Sequence, residues 1–361
     1  MTHVKSPVPA QRQAPEPALT ARSFQRTVDR ALIHRAALGE VFLTDLVQRT
    51  DTEFLAAGQL PRSHAYYGDQ AHPVSSHDPV LVLEAARQAT LAIAHRYFGV
   101  PADHKFILTH LDVRIDEPRA LQIGERPAEL VSAVTVTRER VRDGRTTGLD
   151  YHLELSEVGA GPIGTADIGL RFRSPADYLD LRSRGHGGAP LPTSAGHRPE
   201  PTAVPVQPGA IARRDPRNVV ITAPTVVDDV VIADLVLPTA HPSMFDHPQD
   251  HVPGMVLVEA ARQIALVAAT HHHGYAPQRV QLTGITSEFV KFAELGPTTR
   301  LTARTATSPA IGTHTVYTQA GRLEVERDPE PPILVELFQE GEPVARVAVS
   351  LTLAERGARA A

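Results

Sequence analysis

A buried-helix pattern that occurs twice constrains this chain more than any other feature. Residues 79–98 read PVLVLEAARQATLAIAHRYF and residues 254–273 read GMVLVEAARQIALVAATHHH. The five residues Glu84 to Gln88 return unchanged as Glu259 to Gln263, an offset of 175 residues (259 minus 84). A period of that length is too long for a solenoid and fits a duplicated domain. Each copy is apolar nearly all round, which predicts a helix buried on every side. Glu84, Arg87 and Gln88 stand at i, i+3 and i+4 and share one stripe, as do Glu259, Arg262 and Gln263. A charge in such a setting is costly unless it is paired or hydrogen-bonded. One reading of the triplet is a structural Glu–Arg pair within one helix. The other, favoured by its presence on both helices, is a site.

Composition narrows the function classes. The 361 residues carry a net charge of −5, so no global basic field recruits nucleic acid. Aromatics are 5% and Trp is absent, which weakens any base-stacking role. The chain has no cysteine, which excludes disulfides, Cys-ligated zinc and a cysteine acyl-enzyme. No uncharged apolar run of membrane-spanning length occurs and the N-terminus lacks a signal-peptide core, so a cytoplasmic protein without a membrane partner is expected. The tract His271-His272-His273 looks metal-binding, but the C-terminal end of a helix favours His through its dipole alone. No metal site and no cofactor are expected.

The chain divides into four parts. Residues 1–22 are Pro- and Ala-rich and expected to be disordered. A first domain is expected over 23–180, with strands near 40–44, 53–59, 104–115, 129–141, 147–157 and 163–173, and a hairpin turn at Asp143-Gly144. Residues 181–210 are Pro/Gly-rich and expected to act as a linker that reaches without packing. A second domain is expected over 211–355, with strands near 279–292, 298–307, 313–325, 332–339 and 343–353. It echoes the first: Asn218–Ile221 answers the strand at Glu40–Leu43, and Leu237-Pro-Thr-Ala-His241 answers Leu60-Pro-Arg-Ser-His64. One long buried helix with a set of antiparallel strands is the α+β hot-dog plan, in which the sheet wraps the helix. Two tandem copies predict a double hot-dog, an intrachain pseudo-dimer with further homo-oligomerisation possible.

The stretch His247-Pro-Gln-Asp-His-Val-Pro-Gly-Met-Val-Leu-Val-Glu-Ala-Ala-Arg-Gln263 resembles the β-hydroxyacyl-carrier-protein dehydratases, which share a His, a Pro-Gly and a Glu-Ala-x-x-Gln opening the helix. More closely, residues 23–355 outside the linker resemble the AfsA-type A-factor biosynthesis hot-dog family of actinobacteria. That resemblance implies transfer of a β-ketoacyl group from acyl carrier protein or coenzyme A to the hydroxyl of dihydroxyacetone phosphate. The product would lead to a γ-butyrolactone, butenolide or furan signal that controls antibiotic production. His247 stands closer to Pro253 than in the dehydratases, and an Arg precedes the Gln, both of which argue against dehydration. A thioesterase, a dehydratase or hydratase, and a non-catalytic ligand-binding module stay open as alternatives.

The chemistry needs a base, oxyanion donors and a cation for phosphate. Glu259 and Glu84 are the candidate bases, with Glu259 expected to matter more, and His247 and His251 are catalytic candidates beside them. The N–H groups entering the second helix at 252–255 are candidate oxyanion donors, with Gly254 allowing close approach. Arg262 and Arg87 suit phosphate through their fork geometry. Gln263 and Gln88 complete the stripe, and Lys291 and Arg279 are reserve cations on neighbouring strands. With no cysteine available, the acceptor hydroxyl would attack the thioester directly.

Overall fold

The duplication is visible in the sheet. The computed structural model describes residues 18–185, 190–197, 204–305, 314–318, 321–325 and 331–354. The first half contributes β1 (Leu43–Gln48), β2 (Glu53–Leu60), the helix α1 (Pro79–Tyr97), β3 (Lys105–Ile115), β4 (Ala128–Arg142), β5 (Arg145–Glu157) and β6 (Gly161–Arg173). A further helix, α2 (Pro175–Gly185), leads to the second half. That half contains β7 (Thr225–Val227), β8 (Val230–Asp234), α3 (Gly254–His273), β9 (Val280–Phe289) and β10 (Arg300–Thr305). It continues with β11 (His314–Thr318), β12 (Gly321–Val325), β13 (Ile333–Gln339) and β14 (Glu342–Leu353).

Among the described residues, twelve strands form one sheet in the order β1-β2-β4-β5-β6-β3-β9-β14-β13-β10-β8-β7, which reads as the same six-strand order from either edge to the centre. The centre is the antiparallel β3–β9 pair, with Val113 opposite Ile285. The two hot-dog halves are therefore joined into one continuous sheet. The two central strands are tied further by Ser287, whose Oγ donates to Leu111 O (2.6 Å) and accepts from Leu111 N (3.1 Å). The hairpin of β4 and β5 turns at Asp143 and Gly144, both left-handed (φ 51° and 72°), as an Asp-Gly turn between twisted strands requires.

Each helix runs through its own half-sheet. Val80, Leu83, Ala86 and Ile93 of α1, and Val256, Ala260, Ile264 and Ala268 of α3, have no exposed surface. The wide apolar circumference read from sequence is thus matched by the strands of its half-sheet and by short 3-10 turns of the same half, Arg30–Ile33 on α1 and Pro208–Ile211 on α3.

Three local expectations are corrected. Asn218–Ile221 is not a strand. Gln263 of α3 occupies its backbone groups instead, accepting from Val220 N (2.9 Å) and donating to Asn218 O (2.7 Å). Gln88 treats the first half likewise, accepting from Phe42 N (2.8 Å) and donating to Glu40 O (2.7 Å), so β1 begins only at Leu43. Second, the stretch 313–325 holds a separate hairpin, β11 with β12, rather than one strand. Third, part of the Pro/Gly-rich connection is packed. Arg182 of α2 is 3% exposed and donates to Glu294 Oε2 (2.9 Å) and Asp250 O (3.1 Å), and Ser194 exchanges bonds with the backbone of Gln249 (2.8 and 2.9 Å). Residues 186–189 and 198–203 of the expected linker, and 1–17 of the expected disordered segment, lie outside the described residues. Thr20 caps a short 3-10 turn at Ala21–Phe24.

Gln263→Leu tests the role of the helix glutamine. The change keeps the volume but strands two buried backbone groups, each costing about 1–3 kcal/mol. Denaturant unfolding should therefore show a loss of about 2–5 kcal/mol. A loss below about 1 kcal/mol would mean these groups find other partners.

Candidate active site

The repeated triplets form two buried polar clusters. Glu84 has no exposure. Its Oε1 accepts from Arg35 Nη2 (2.6 Å), Arg87 Nη2 (2.9 Å) and Gln88 Nε2 (2.9 Å), and its Oε2 from Arg87 Nε (2.8 Å). Burial pushes its carboxyl up, but Arg35 and Arg87 outweigh burial and hold it at about 2. Glu259 is also fully buried. It accepts from Arg213 Nη2 (2.9 Å), Gln263 Nε2 (2.6 Å), the Tyr66 hydroxyl (2.9 Å) and Arg262 Nη2. Each carboxylate is thus ringed by donors.

These clusters tie the halves to one another. Arg35 and Arg213 each follow a short 3-10 turn (Arg30–Ile33 and Pro208–Ile211) that ends in a left-handed residue, His34 or Ala212. Each arginine holds the glutamate of its own half. With Nη1 it reaches a carbonyl of the other half: Arg35 to Ser243 O (3.3 Å), Arg213 to Tyr66 O (2.7 Å). Beside them Asp246 accepts from Ala36 N (2.5 Å) and Ala37 N (2.9 Å), and Asp69 accepts from Arg214 N (3.2 Å) and Asp215 N (3.0 Å). His64 and His241 repeat as well. The Nδ1 of each accepts two backbone N–H bonds in its own loop, from Tyr66 and Tyr67 (3.2 Å) and from Ser243 and Met244 (3.1 and 3.2 Å). Except for the Tyr66 hydroxyl, these members recur in both halves, so the network behaves as a twofold clasp.

The symmetry breaks where the helices begin. At α1, Asp78 caps the helix through Val80 N (2.9 Å) and accepts from Arg262 Nη1 with both oxygens (2.9 and 2.7 Å). Burial raises the Asp78 carboxyl, and Arg262 more than reverses this. Arg262 is therefore engaged by Asp78 and Glu259 together. At α3 the cap position is Pro253, which offers no side-chain bond, so the first N–H groups of that helix are uncapped. A Cβ on Gly254 would lie 3.0 Å from the Phe289 ring and 3.1 Å from Leu108. Gly254 thus accommodates these two side chains at the helix entrance.

The remaining expected residues fall in three places. Arg87 is held by Glu84 (2.8 Å), and burial first, then His95 and Arg87, lowers the His34 imidazole to about 3. His247 is 41% exposed and contacts Asp246 (3.3 Å) and Gln249 (2.7 Å). His251 bonds Asp250 (2.6 Å) in the Tyr178–Arg182–Phe292 group that docks α2. Lys291 is half-exposed and pairs loosely with Glu342 (3.9 Å). His251 and Lys291 are thus apart from the glutamate clusters.

A cavity of about 700 Å³ opens between the halves on the α1 side. His72, Ser76, Glu117, Arg119 and Gln122 line it from the first half, and Arg279, Gln281 and Leu353 from the second. Beyond shared residues His72, Ser76, Pro118 and Gln281 lies a pouch of about 20 Å³, lined also by His77, Pro79 and Leu282. His72 contacts Gln278 O through Nδ1 (3.1 Å), and burial lowers its imidazole.

Sequence reasoning assigned no role to Arg35, Arg213, Tyr66 or Asp78. A repeat signal was available for the first two: Ile33-His34-Arg35 and Ile211-Ala212-Arg213 are a second echo between the halves. Tyr66 and Asp78 have no echo, since Ser243 and Pro253 stand in their places.

The glutamate cluster has a pH signature. Glu84 falls from 4.5 to about 2 on folding, so its contribution is complete above pH 4.5 and is lost as pH falls through about 2. The stability gap between wild type and Glu84→Gln should be widest near neutrality and narrow steadily below pH 4.5. Breaking a buried pair costs about 3–5 kcal/mol, which sets the gap expected at pH 7. Urea titrations at several pH values measure it, and a gap that is constant with pH would contradict this arrangement.

The model of the A-factor biosynthesis hotdog domain matches residues 18–173 and 194–354. A 2-oxo-3-(phosphooxy)propyl 3-oxoalkanoate synthase of Streptomyces virginiae is 35% identical over 271 residues, covering 74% of this chain and 84% of the relative. The synthase of the same name from Streptomyces coelicolor is 30% identical over 305 residues, covering 83% and 90%. Among solved structures, the pyran synthase domain from module nine of the sorangicin pathway superposes with a TM-score of 0.50 at 14% identity, covering 87% of this chain and 98% of that domain. That likeness supports the double hot-dog fold alone. With both halves matched, this chain belongs to the A-factor biosynthesis hot-dog family.

Proposed function

We propose that this chain transfers a β-ketoacyl (3-oxoacyl) group from an acyl thioester to the free hydroxyl of dihydroxyacetone phosphate. The observation that carries this reading is the shared name of the relatives across 84–90% of their length, since that name describes the resulting ester. In the reaction the acceptor oxygen forms a bond to the thioester carbonyl carbon, the C–S bond breaks, and the thiol leaves with the hydroxyl proton. A chain without cysteine can perform this by direct attack. Acyl carrier protein or coenzyme A supplies the thioester, and the ester is the precursor of a γ-butyrolactone, butenolide or furan signal.

Of the two helix entrances, the one at His72 and Arg279 supports this reading better. It has room for the acceptor and a thioester end, and Arg279 is exposed there without a carboxylate partner among the described residues. Arg262, the other expected phosphate ligand, is occupied by Asp78 and Glu259. The ringed carboxylates suit positioning more than proton transfer, so we assign Glu84 and Glu259, with Gln88 and Gln263, to holding the loops that shape the entrance. Arg87, His247 and Gly254 form the alternative entrance. Folded Glu259→Gln should then keep kcat to within about tenfold, whereas a loss of roughly 10²-fold or more would restore Glu259 as the base.

A β-ketoacyl thioester offered with and without dihydroxyacetone phosphate tests the function. Thiol release should require the acceptor. Release at the same rate without it would identify a thioesterase, and formation of an enoyl product from a β-hydroxyacyl thioester would identify a dehydratase.

A further inference from the structure

One buried histidine takes no part in the clasp. His77 immediately precedes Asp78, and its place is set from both sides. Its N–H donates to Leu121 O (2.7 Å), the neighbouring Ser76 bridges Gln122, and Asp78 caps α1. The residue is 3% exposed and its Nε2 is buried without a hydrogen-bond partner among the described residues. A buried polar atom left unpaired is a cost that native structures rarely leave unexplained. His77 also lines the 20 Å³ pouch at the inner end of the larger cavity. That volume holds about one water-sized group, such as a single hydroxyl.

Resting on the synthase reading above, we infer that His77 Nε2 is the general base for the acceptor hydroxyl, with that hydroxyl seated in the pouch and the acceptor phosphate held at the wider mouth by Arg279. The imidazole takes the hydroxyl proton as the acceptor oxygen bonds to the thioester carbonyl. The tetrahedral centre collapses, the C–S bond breaks, and the imidazolium returns the proton to the thiolate, so atoms and charge balance. Burial alone holds His77 near 4, with no carboxylate contributing, so it is a neutral acceptor at pH 7. A phosphate dianion entering the mouth raises it towards the working range. Arg279 stands on the turn into β9, where its carbonyl accepts from Ala354 N (2.8 Å), so the cation sits on backbone pinned to the rim of the cavity.

His77→Gln and His77→Asn, each checked for an unchanged melting temperature, should lower kcat by roughly 10²-fold or more with little change in either KM. Arg279→Gln should raise KM for dihydroxyacetone phosphate by roughly tenfold or more while leaving the thioester KM alone. A wild type that needs the acceptor, with folded His77 variants of near-wild-type kcat, overturns the base and leaves the synthase reading intact. A wild type that hydrolyses the thioester without acceptor overturns the synthase reading. In that case, loss of hydrolysis in the His77 variants keeps the base with water in the pouch, and retained hydrolysis removes it. Equal KM changes for both substrates in Arg279→Gln overturn the phosphate contact.

Discussion

Two carboxylates without access to water, Glu84 and Glu259, set the terms for what surrounds them. An ion in an apolar helix carries a desolvation penalty of several kcal/mol, offset only by well-placed donors. The fold supplies these from the same helix (Arg87 and Gln88; Arg262 and Gln263) and from an arginine on a turn upstream (Arg35; Arg213). Because those upstream arginines also hold carbonyls across the pseudo-twofold, satisfying each charge docks one half against the other. Cohesion between the halves has two distinct sources. One is the shared sheet, joined at β3 and β9, with the apolar core beneath it. The other is directional and fails if a single donor is misplaced.

Duplication supplies the clasp twice, while the chemistry proposed here needs only one entrance. Small departures from symmetry separate the two duties. Asp78 in place of Pro253 engages Arg262 and caps α1. On the other side, Gly254 in place of Pro79 lets Phe289 and Leu108 close over the start of α3. One end keeps a cavity with a buried imidazole whose Nε2 has no partner among the described residues, and the other keeps an uncapped helix end.

The architecture was legible because repetition amplifies weak signals. The Glu-Ala-Ala-Arg-Gln copies located both helices, and the alternation of Val, Thr and Leu located most strands of the wrapping sheet. What escaped was set by tertiary context. Gln88 and Gln263 hold backbone that reads as strand, so propensity at Asn218–Ile221 was overridden by side-chain bonds from a distant helix. Composition marked 181–210 as unable to order itself, yet Arg182 and Ser194 dock parts of it on the second half. The site was half legible. The stripe of Glu, Arg and Gln was found, but its saturation depends on Arg35, Arg213 and Tyr66, which the chain brings from far in sequence. His77 is ordinary in sequence, and its unpaired Nε2 is evident only once the pouch around it is formed.

The most direct test of this division between clasp and entrance is a crystal structure with dihydroxyacetone phosphate bound. The phosphate should lie beside Arg279 and the free hydroxyl within hydrogen-bond distance of His77, with the Glu84 and Glu259 clusters unchanged. Phosphate bound by Arg87 or at the start of α3, or a hydroxyl bonded to either glutamate, would contradict it.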